Sequence, residues 1–186
     1  AATGAGKSHI MAAMIRAYDS SELAERGTPQ IVMAVPDKDI TRKNWELMRE
    51  LFPDREVGLV MSGVRKESDD IQVITLDSLH LLDPSMCGVF IADEVHTASS
   101  ACRAAEISRF RDCARWGLSA TPTGRFDGGD MVTEGLFGPV VSSFTYEDGV
   151  RTGALVPIDV VWVNAPEPDI DMNRYSECSD RDYRIR

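Results

Sequence analysis

Three short stretches carry side chains able to do phosphate chemistry. Residues 1–8 read Ala-Ala-Thr-Gly-Ala-Gly-Lys-Ser. A polyphosphate tail concentrates negative charge that many donors must hold in a small space. Gly4 and Gly6 let the backbone bend and bring its N–H groups close to that charge. Lys7 reaches the outer phosphates, the Ser8 hydroxyl ligates Mg²⁺, and a helix beginning near Lys7 points its positive end at the anion. The candidate cradle is Thr3, Gly4, Ala5, Gly6, Lys7, Ser8 and His9, and its ligand is a nucleoside triphosphate with Mg²⁺. Ala1 stands where the pattern G-x-x-x-x-G-K-[ST] has glycine, which leaves a glycine-rich turn before Lys-Ser as the alternative.

The second stretch is Val89-Phe90-Ile91-Ala92-Asp93-Glu94-Val95-His96, an apolar strand ending in two adjacent carboxylates. A carboxylate at the C-terminal edge of a strand emerges where open α/β sheets bind ligands. Asp93 can hold Mg²⁺, and Glu94 can orient or deprotonate the water that attacks the γ-phosphate. Alone, such a pair reads as a solvated strand end; the phosphate loop upstream favours the catalytic reading. The third stretch, Gly117-Leu118-Ser119-Ala120-Thr121-Pro122, is another strand running into small hydroxyl residues and a proline.

These residues need a scaffold, and the rest of the chain supplies its pattern. Apolar, β-branched runs at 31–35, 57–61, 71–76, 89–92, 116–119 and 158–163 predict strands; amphipathic segments at 7–18, 41–52 and 99–112 predict helices. Strands without a polar face, alternating with helices, imply an α/β domain with a mostly parallel sheet covered on both faces. The strand that should feed the phosphate loop is expected to be missing, so the chain reads as truncated at its N-terminus. Residues 165–171, with two prolines and three acids, read as a linker. The expected organisation is one domain over 1–164 and a connection over 165–186.

In order and spacing, these motifs resemble the first RecA-like domain of superfamily 2 helicases and translocases. Lys7 and Ser8 fall in that family's motif I, and Ala1 fits its own Ala-x-x-Gly-x-Gly-Lys-[ST] form. Asp93-Glu94-Val95-His96 resembles the DExH form of motif II, and Ser119-Ala120-Thr121-Pro122 resembles motif III. The resemblance implies ATP as the nucleotide, a RecA-like P-loop fold, and coupling of hydrolysis to movement through His96, Ser119 and Thr121. It also implies a nucleic-acid side built from Pro36, after Ala34-Val35, and from Thr75 and Ser78 in a Thr-x-x-Ser-Leu segment; the bland alternative for the two hydroxyls is a strand end and a helix cap. Arg125-Phe126-Asp127-Gly128 resembles the DNA-directed branch, which includes repair helicases, restriction-enzyme motor subunits and their phage relatives. DNA is thereby favoured over RNA, and Arg125 is a nucleotide sensor, a tether of the exit loop, or a solvated side chain. A second RecA-like domain is the implied partner within the full-length protein.

Composition narrows the alternatives. The net charge is −10, of which residues 124–186, with 12 acids against 6 bases, supply −6. Overall acidity weakens a nucleic-acid reading without removing it, because a groove can be locally positive. No stretch approaches the roughly 20 apolar residues of a membrane span. Cys87, Cys102, Cys113 and Cys178 match neither a zinc spacing nor a compact disulfide framework, which favours reduced thiols and the cytoplasm; a bacterial or phage-type protein is what the resemblance implies. His9, apart from its place at the loop, and His80 carry no motif and are expected to be structural. Two rivals to a helicase remain: a nuclease-system motor that translocates without unwinding, and a nucleotide-binding scaffold without turnover.

Overall fold

The computed structural model describes residues 6–21, 30–121, 124, 128–159 and 161. The chain divides into two compact units, Ala1–Val156 and Pro157–Arg186. The first holds strands β1 Gln30–Val35, β2 Val57–Met61, β3 Val64–Lys66, β4 Ile71–Thr75, β5 Cys87–Ala92 and β6 Ala114–Gly117. Its helices are α1 Lys7–Asp19, α2 Lys38–Leu51, α3 Ala101–Ser108, α4 Gly129–Phe137 and α5 Tyr146–Arg151, with 3₁₀ turns at Leu76–Leu81, Pro84–Met86 and Val95–Ser99.

The strands form one sheet in the order β3-β2-β4-β1-β5-β6. All neighbours run parallel except β3, which folds back antiparallel on β2 at the edge. Every residue of β1, β2 and β4 is buried, as a sheet covered on both faces requires. Alternate residues then serve two cores. Ile31, Met33 and Val35 pack with Met11 and Ile15 of α1 and Met48 of α2. Val32, Ala34 and Phe90 pack on the opposite face with Leu76, Leu79, Ile107 and Leu136. Phe90 anchors that face, with its ring centroid 4.8 Å from that of Phe110 and 6.4 Å from that of Phe137.

Local chemistry sets the ends of the elements. Helix α2 begins at Lys38, three residues before the expected start, because Asp37 caps it. The Asp37 Oδ1 accepts from the backbone N–H of Asp39 at 2.8 Å and of Ile40 at 3.0 Å, satisfying donors that the first turn leaves free. The expected helix over 99–112 is instead a 3₁₀ turn followed by the shorter α3, because the chain turns at Ser100, which is extended (φ −63°, ψ 141°). Gly117 closes β6 where a β-carbon would lie 2.8 Å from Val95 Cγ1 and 3.1 Å from Phe137 Cγ, too close for any larger residue.

The expected strands at 31–35, 57–61, 71–76, 89–92 and 116–119 all fall on observed strands, with no end displaced by more than two residues. In the expected strand 158–163, the described residues 158, 159 and 161 have no strand structure, and the remainder lies outside the described residues, as does the linker at 165–171. The edge strand β3 and helices α4 and α5 were not expected. No helix among the described residues is long and apolar enough to cross a membrane.

Candidate functional site

Two chain segments 87 residues apart meet at the C-terminal edge of the sheet, where Lys7 Nζ donates a hydrogen bond to Glu94 Oε1. The same ammonium lies 3.9 Å from Asp93 Oδ1. Gly6 makes the approach possible from one side: at φ 74° it turns the chain into α1, and its carbonyl accepts from the N–H groups of His9 at 2.9 Å and Ile10 at 3.1 Å. No acidic residue sits in the first turn of α1, so the positive end of that helix is left for another anion.

On the other side, β5 delivers the carboxylates. The Asp93 N–H donates to the Ala34 carbonyl at 2.9 Å, extending the ladder one residue past Ala92. The Asp93 Oδ1 accepts from the N–H of Glu94 at 2.9 Å, which fixes its direction. Glu94 then takes the left-handed conformation, φ 49°, alone among the described residues other than glycine. Such a backbone is held from outside: Thr97 donates to the Glu94 carbonyl through both N–H and hydroxyl, each at 2.9 Å.

The electrostatics are those of a crowded anionic site. The Asp93 side chain is 6% exposed, and burial pushes its carboxyl pKa up, against the opposing pull of Lys7, the Glu94 N–H and His96; the Glu94 carboxylate adds to the rise. The Glu94 Oε2 is buried and accepts no hydrogen bond among the described residues; it lies 3.3 Å from His96 Nδ1 without the alignment of a bond. His96 Nδ1 is 3.0 Å from Ser119 Oγ. The Ser119 Oγ in turn accepts from the Thr121 N–H at 3.1 Å. A short polar chain thus runs from Glu94 through His96 to the segment after β6. Val95 and Leu118 tie the same segments together, since the Val95 N–H donates to the Leu118 carbonyl at 3.0 Å.

A second feature opens beside this site at the ends of β1, β4 and β2. A groove of about 990 Å³ is lined by Pro36, Thr75, Ser78 and His80, and by Gly63 and Arg65 of the β2–β3 hairpin. Thr75 and Ser78 are mostly turned inward: the Thr75 hydroxyl donates to Ser78 Oγ at 2.8 Å, and both residues are buried.

Residues 1–124 match the family model described as type III restriction enzyme, res subunit. The chain belongs to that family. Its fold is the first RecA-like domain of the superfamily 2 helicases. The helicase domain of Hef from Pyrococcus furiosus superposes with a TM-score of 0.58 at 19% identity, over 74% of this chain and 32% of that one. A variant of Dbp5 from S. cerevisiae, bound to RNA and ADP BeF3, gives 0.57 at 17%, over 73% of this chain and 38% of that one. The SWI2/SNF2 ATPase core of Sulfolobus solfataricus, in complex with dsDNA, gives 0.56 at 15%, over 82% and 34%. The chain therefore spans about a third of the length of these structures. No curated protein matches it.

Among the sequence-selected residues of this restriction-enzyme-family chain, the fold brings together Lys7, Asp93, Glu94, His96 and Ser119, with Thr121 joined through its backbone. Pro36, Thr75 and Ser78 share the neighbouring groove. His9 is exposed on α1, and Ser8 is half-buried beside Lys7 in sequence. Thr3, Gly4, Ala5 and Arg125 lie outside the described residues. Two contributors were not selected. Thr97 supports the Glu94 backbone, and the threonine three residues after Glu94 was available as a signal. Arg65 reaches the groove only through the hairpin, which no spacing in the sequence announces.

Proposed function

We propose that this chain is the ATP-binding half of a nucleic-acid motor that couples ATP hydrolysis to movement, with DNA as the favoured track. The observation that carries the reading is the convergence of Lys7 with Asp93 and Glu94 at the C-terminal edge of a parallel sheet, the place where α/β sheets take ligands. Lys7 and the N-terminus of α1 hold the phosphates, and Ser8 and Asp93 hold the Mg²⁺ that neutralises developing charge on the γ-phosphate.

The residues present fit that ion. Among the described residues no group of three or more His, Cys, Asp or Glu is placed to bind a metal. Mg²⁺ in nucleotide sites needs one or two protein oxygens and takes the rest from phosphate and water. The buried, unbonded Glu94 Oε2 has an acceptor position to spare, and a water aimed at the γ-phosphate is the donor that fills it. Glu94 thereby orients and deprotonates the attacking water, while His96, Ser119 and Thr121 sense the change. The groove lined by Pro36, Thr75 and Ser78 takes the nucleic-acid backbone, with the two hydroxyls, bonded to each other, shaping its wall. Residues 1–164 form the ATP-binding domain, and 165–186 lead toward a second RecA-like domain.

A second reading has its own support: the family description names a restriction-enzyme subunit, which favours a motor that translocates DNA for a nuclease without separating strands. Intact Lys7, Ser8, Asp93 and Glu94 oppose a scaffold without turnover. Hydrolysis of Mg·ATP by the full-length protein, with and without single-stranded DNA, duplex DNA and RNA, tests the reading. Stimulation by DNA is expected, and strand displacement of a labelled duplex separates helicase from translocase. Absence of nucleotide binding would contradict both.

A further inference from the structure

Helix α3 lies against two elements at once, the 3₁₀ turn Leu76–Leu81 beside the groove and the 3₁₀ turn Val95–Ser99 that follows Glu94. Leu76, Leu79, Val95, Ala98 and Ile107 share one buried cluster, so the three pack as a block. Arg103 of α3 and Arg109, the residue that caps its C-terminus, grip the ends of the groove turn. Arg103 Nε donates to Asp77 Oδ1 at 3.0 Å, and Arg109 Nη2 donates to the Leu82 carbonyl at 3.2 Å. Arg103 also reaches the other way: its Nη1 lies 3.5 Å from the Thr97 carbonyl, and Thr97 holds the Glu94 carbonyl with two bonds.

We propose that Arg103 is a positioning residue that links the groove to the Glu94 turn, by dividing its guanidinium between the Asp77 carboxylate and the Thr97 carbonyl. This rests on the reading of the carboxylates as a nucleotide site and of the groove as a nucleic-acid site. Asp77 lines the groove and is largely exposed, with 69% of its side chain accessible. A phosphate entering the groove repels that carboxylate, which raises its need for Arg103. The contact to Thr97 is the longer of the two and gives way first. The Glu94 backbone, held in the left-handed region, is then less firmly fixed. By thermodynamic reciprocity, whatever settles the Glu94 turn returns Arg103 toward Thr97 and changes the groove's affinity for phosphate by the same factor.

The test is a linkage measurement on the full chain. The affinity for a fluorescein-labelled oligothymidylate is measured with and without Mg²⁺ and a non-hydrolysable ATP analogue, in the parent, Arg103→Ala and Asp77→Asn. The parent is expected to show a coupling factor within the common range of about 5–150-fold. Arg103→Ala is expected to bring it close to unity while each separate affinity shifts less than about threefold, because an exposed ion pair holds little stability of its own. Asp77→Asn, at an exposed position that does not challenge folding, leaves Arg103 an acceptor but removes the charge on which the phosphate acts, and is expected to reproduce the loss. Arg103→Lys, whose single ammonium keeps the ion pair to Asp77 but cannot fork between that carboxylate and the Thr97 carbonyl, is expected to lose most of the coupling as well, which a purely structural role does not predict. Retained coupling in Arg103→Ala or Asp77→Asn overturns the proposal, as does a parent that binds both ligands independently. A parent that binds neither ligand overturns the functional reading itself, and the proposal with it.

Discussion

The ammonium of Lys7 is hydrogen-bonded to the carboxylate of Glu94, so the group assigned to the phosphates and the group assigned to the attacking water hold each other. A phosphate within reach of Lys7 must compete with Glu94 for it. Glu94→Gln keeps the shape of the side chain but weakens that competition and removes the base. We expect this variant of the full-length protein to bind Mg·ATP at least as tightly as the parent, while hydrolysis falls by about 10²-fold or more, within the range for a lost general base. Binding by fluorescence titration and turnover by phosphate release check the two halves separately; parental turnover would remove Glu94 from its role.

Asp93 gives a pH prediction for stability in the unliganded chain. Burial holds its folded pKa above the ordinary 3.8, so the folded state binds this proton more tightly than the unfolded state does. The resulting stabilisation is fully present below about 3.8 and is lost as pH rises through the raised value. At neutral pH the ionised, buried carboxylate is therefore a cost, and Asp93→Asn is expected to be more stable than the parent by roughly 1 kcal/mol. For a chain of this size that is a Tm rise of about 2–4 °C, shrinking toward zero as pH falls to the unfolded value. Thermal melts across pH decide it: a loss of stability at neutral pH contradicts the assignment.

The link from His96 to Ser119, at 3.0 Å, predicts a separation of functions. In Ser119→Ala the His96 ring loses its partner after β6 while Lys7, Asp93 and Glu94 keep theirs. Basal hydrolysis is expected to stay within about threefold of the parent, and stimulation by DNA to fall by roughly tenfold, about 1.4 kcal/mol of coupling. Equal losses in both rates would place Ser119 in the chemistry instead.

Gly117 predicts a packing effect. Its close approach to Val95 and Phe137 leaves no room for a methyl group. Gly117→Ala is expected to cost roughly 1–3 kcal/mol as overpacking, read as a lower urea midpoint at unchanged slope. An unchanged midpoint would mean that β6 and α4 separate easily.

Much of this architecture is legible in the sequence, for physical reasons visible in single elements. The run 57–61 is apolar apart from one glycine and became a fully buried strand with the expected ends. Strand β3 escaped notice because Val64-Arg65-Lys66 has one apolar residue and owes its structure to pairing with β2. The start of α2 is encoded by the cap at Asp37, which a search for hydrophobic periodicity passes over. Helix α4, with Gly129 and Gly135 within it, offers weak helical propensity and is held by packing of Leu136 and Phe137 on the Phe90 face. At the site, motif residues announced themselves by type and spacing. Contacts made only by the tertiary fold did not, as with Arg103 and Asp77, 26 residues apart on two different elements.

A phosphoryl-transfer site that lies between two domains can draw an arginine finger from the second, a contribution worth about 10³–10⁵ in rate. Residues 1–186 on their own are accordingly expected to hydrolyse ATP very slowly and to unwind nothing. Robust DNA-stimulated turnover by this chain alone would contradict that expectation.

The most direct test of the central claim is an equilibrium titration of the chain with a fluorescent ATP analogue, with and without Mg²⁺, in the parent and in Lys7→Ala. The account predicts saturable binding that requires Mg²⁺ for full affinity, competes with unlabelled ATP, and weakens at least about tenfold, or 1.4 kcal/mol, in Lys7→Ala. Absence of binding in the parent, or equal affinity in Lys7→Ala, would contradict the assignment of Lys7, Asp93 and Glu94 as a nucleotide site.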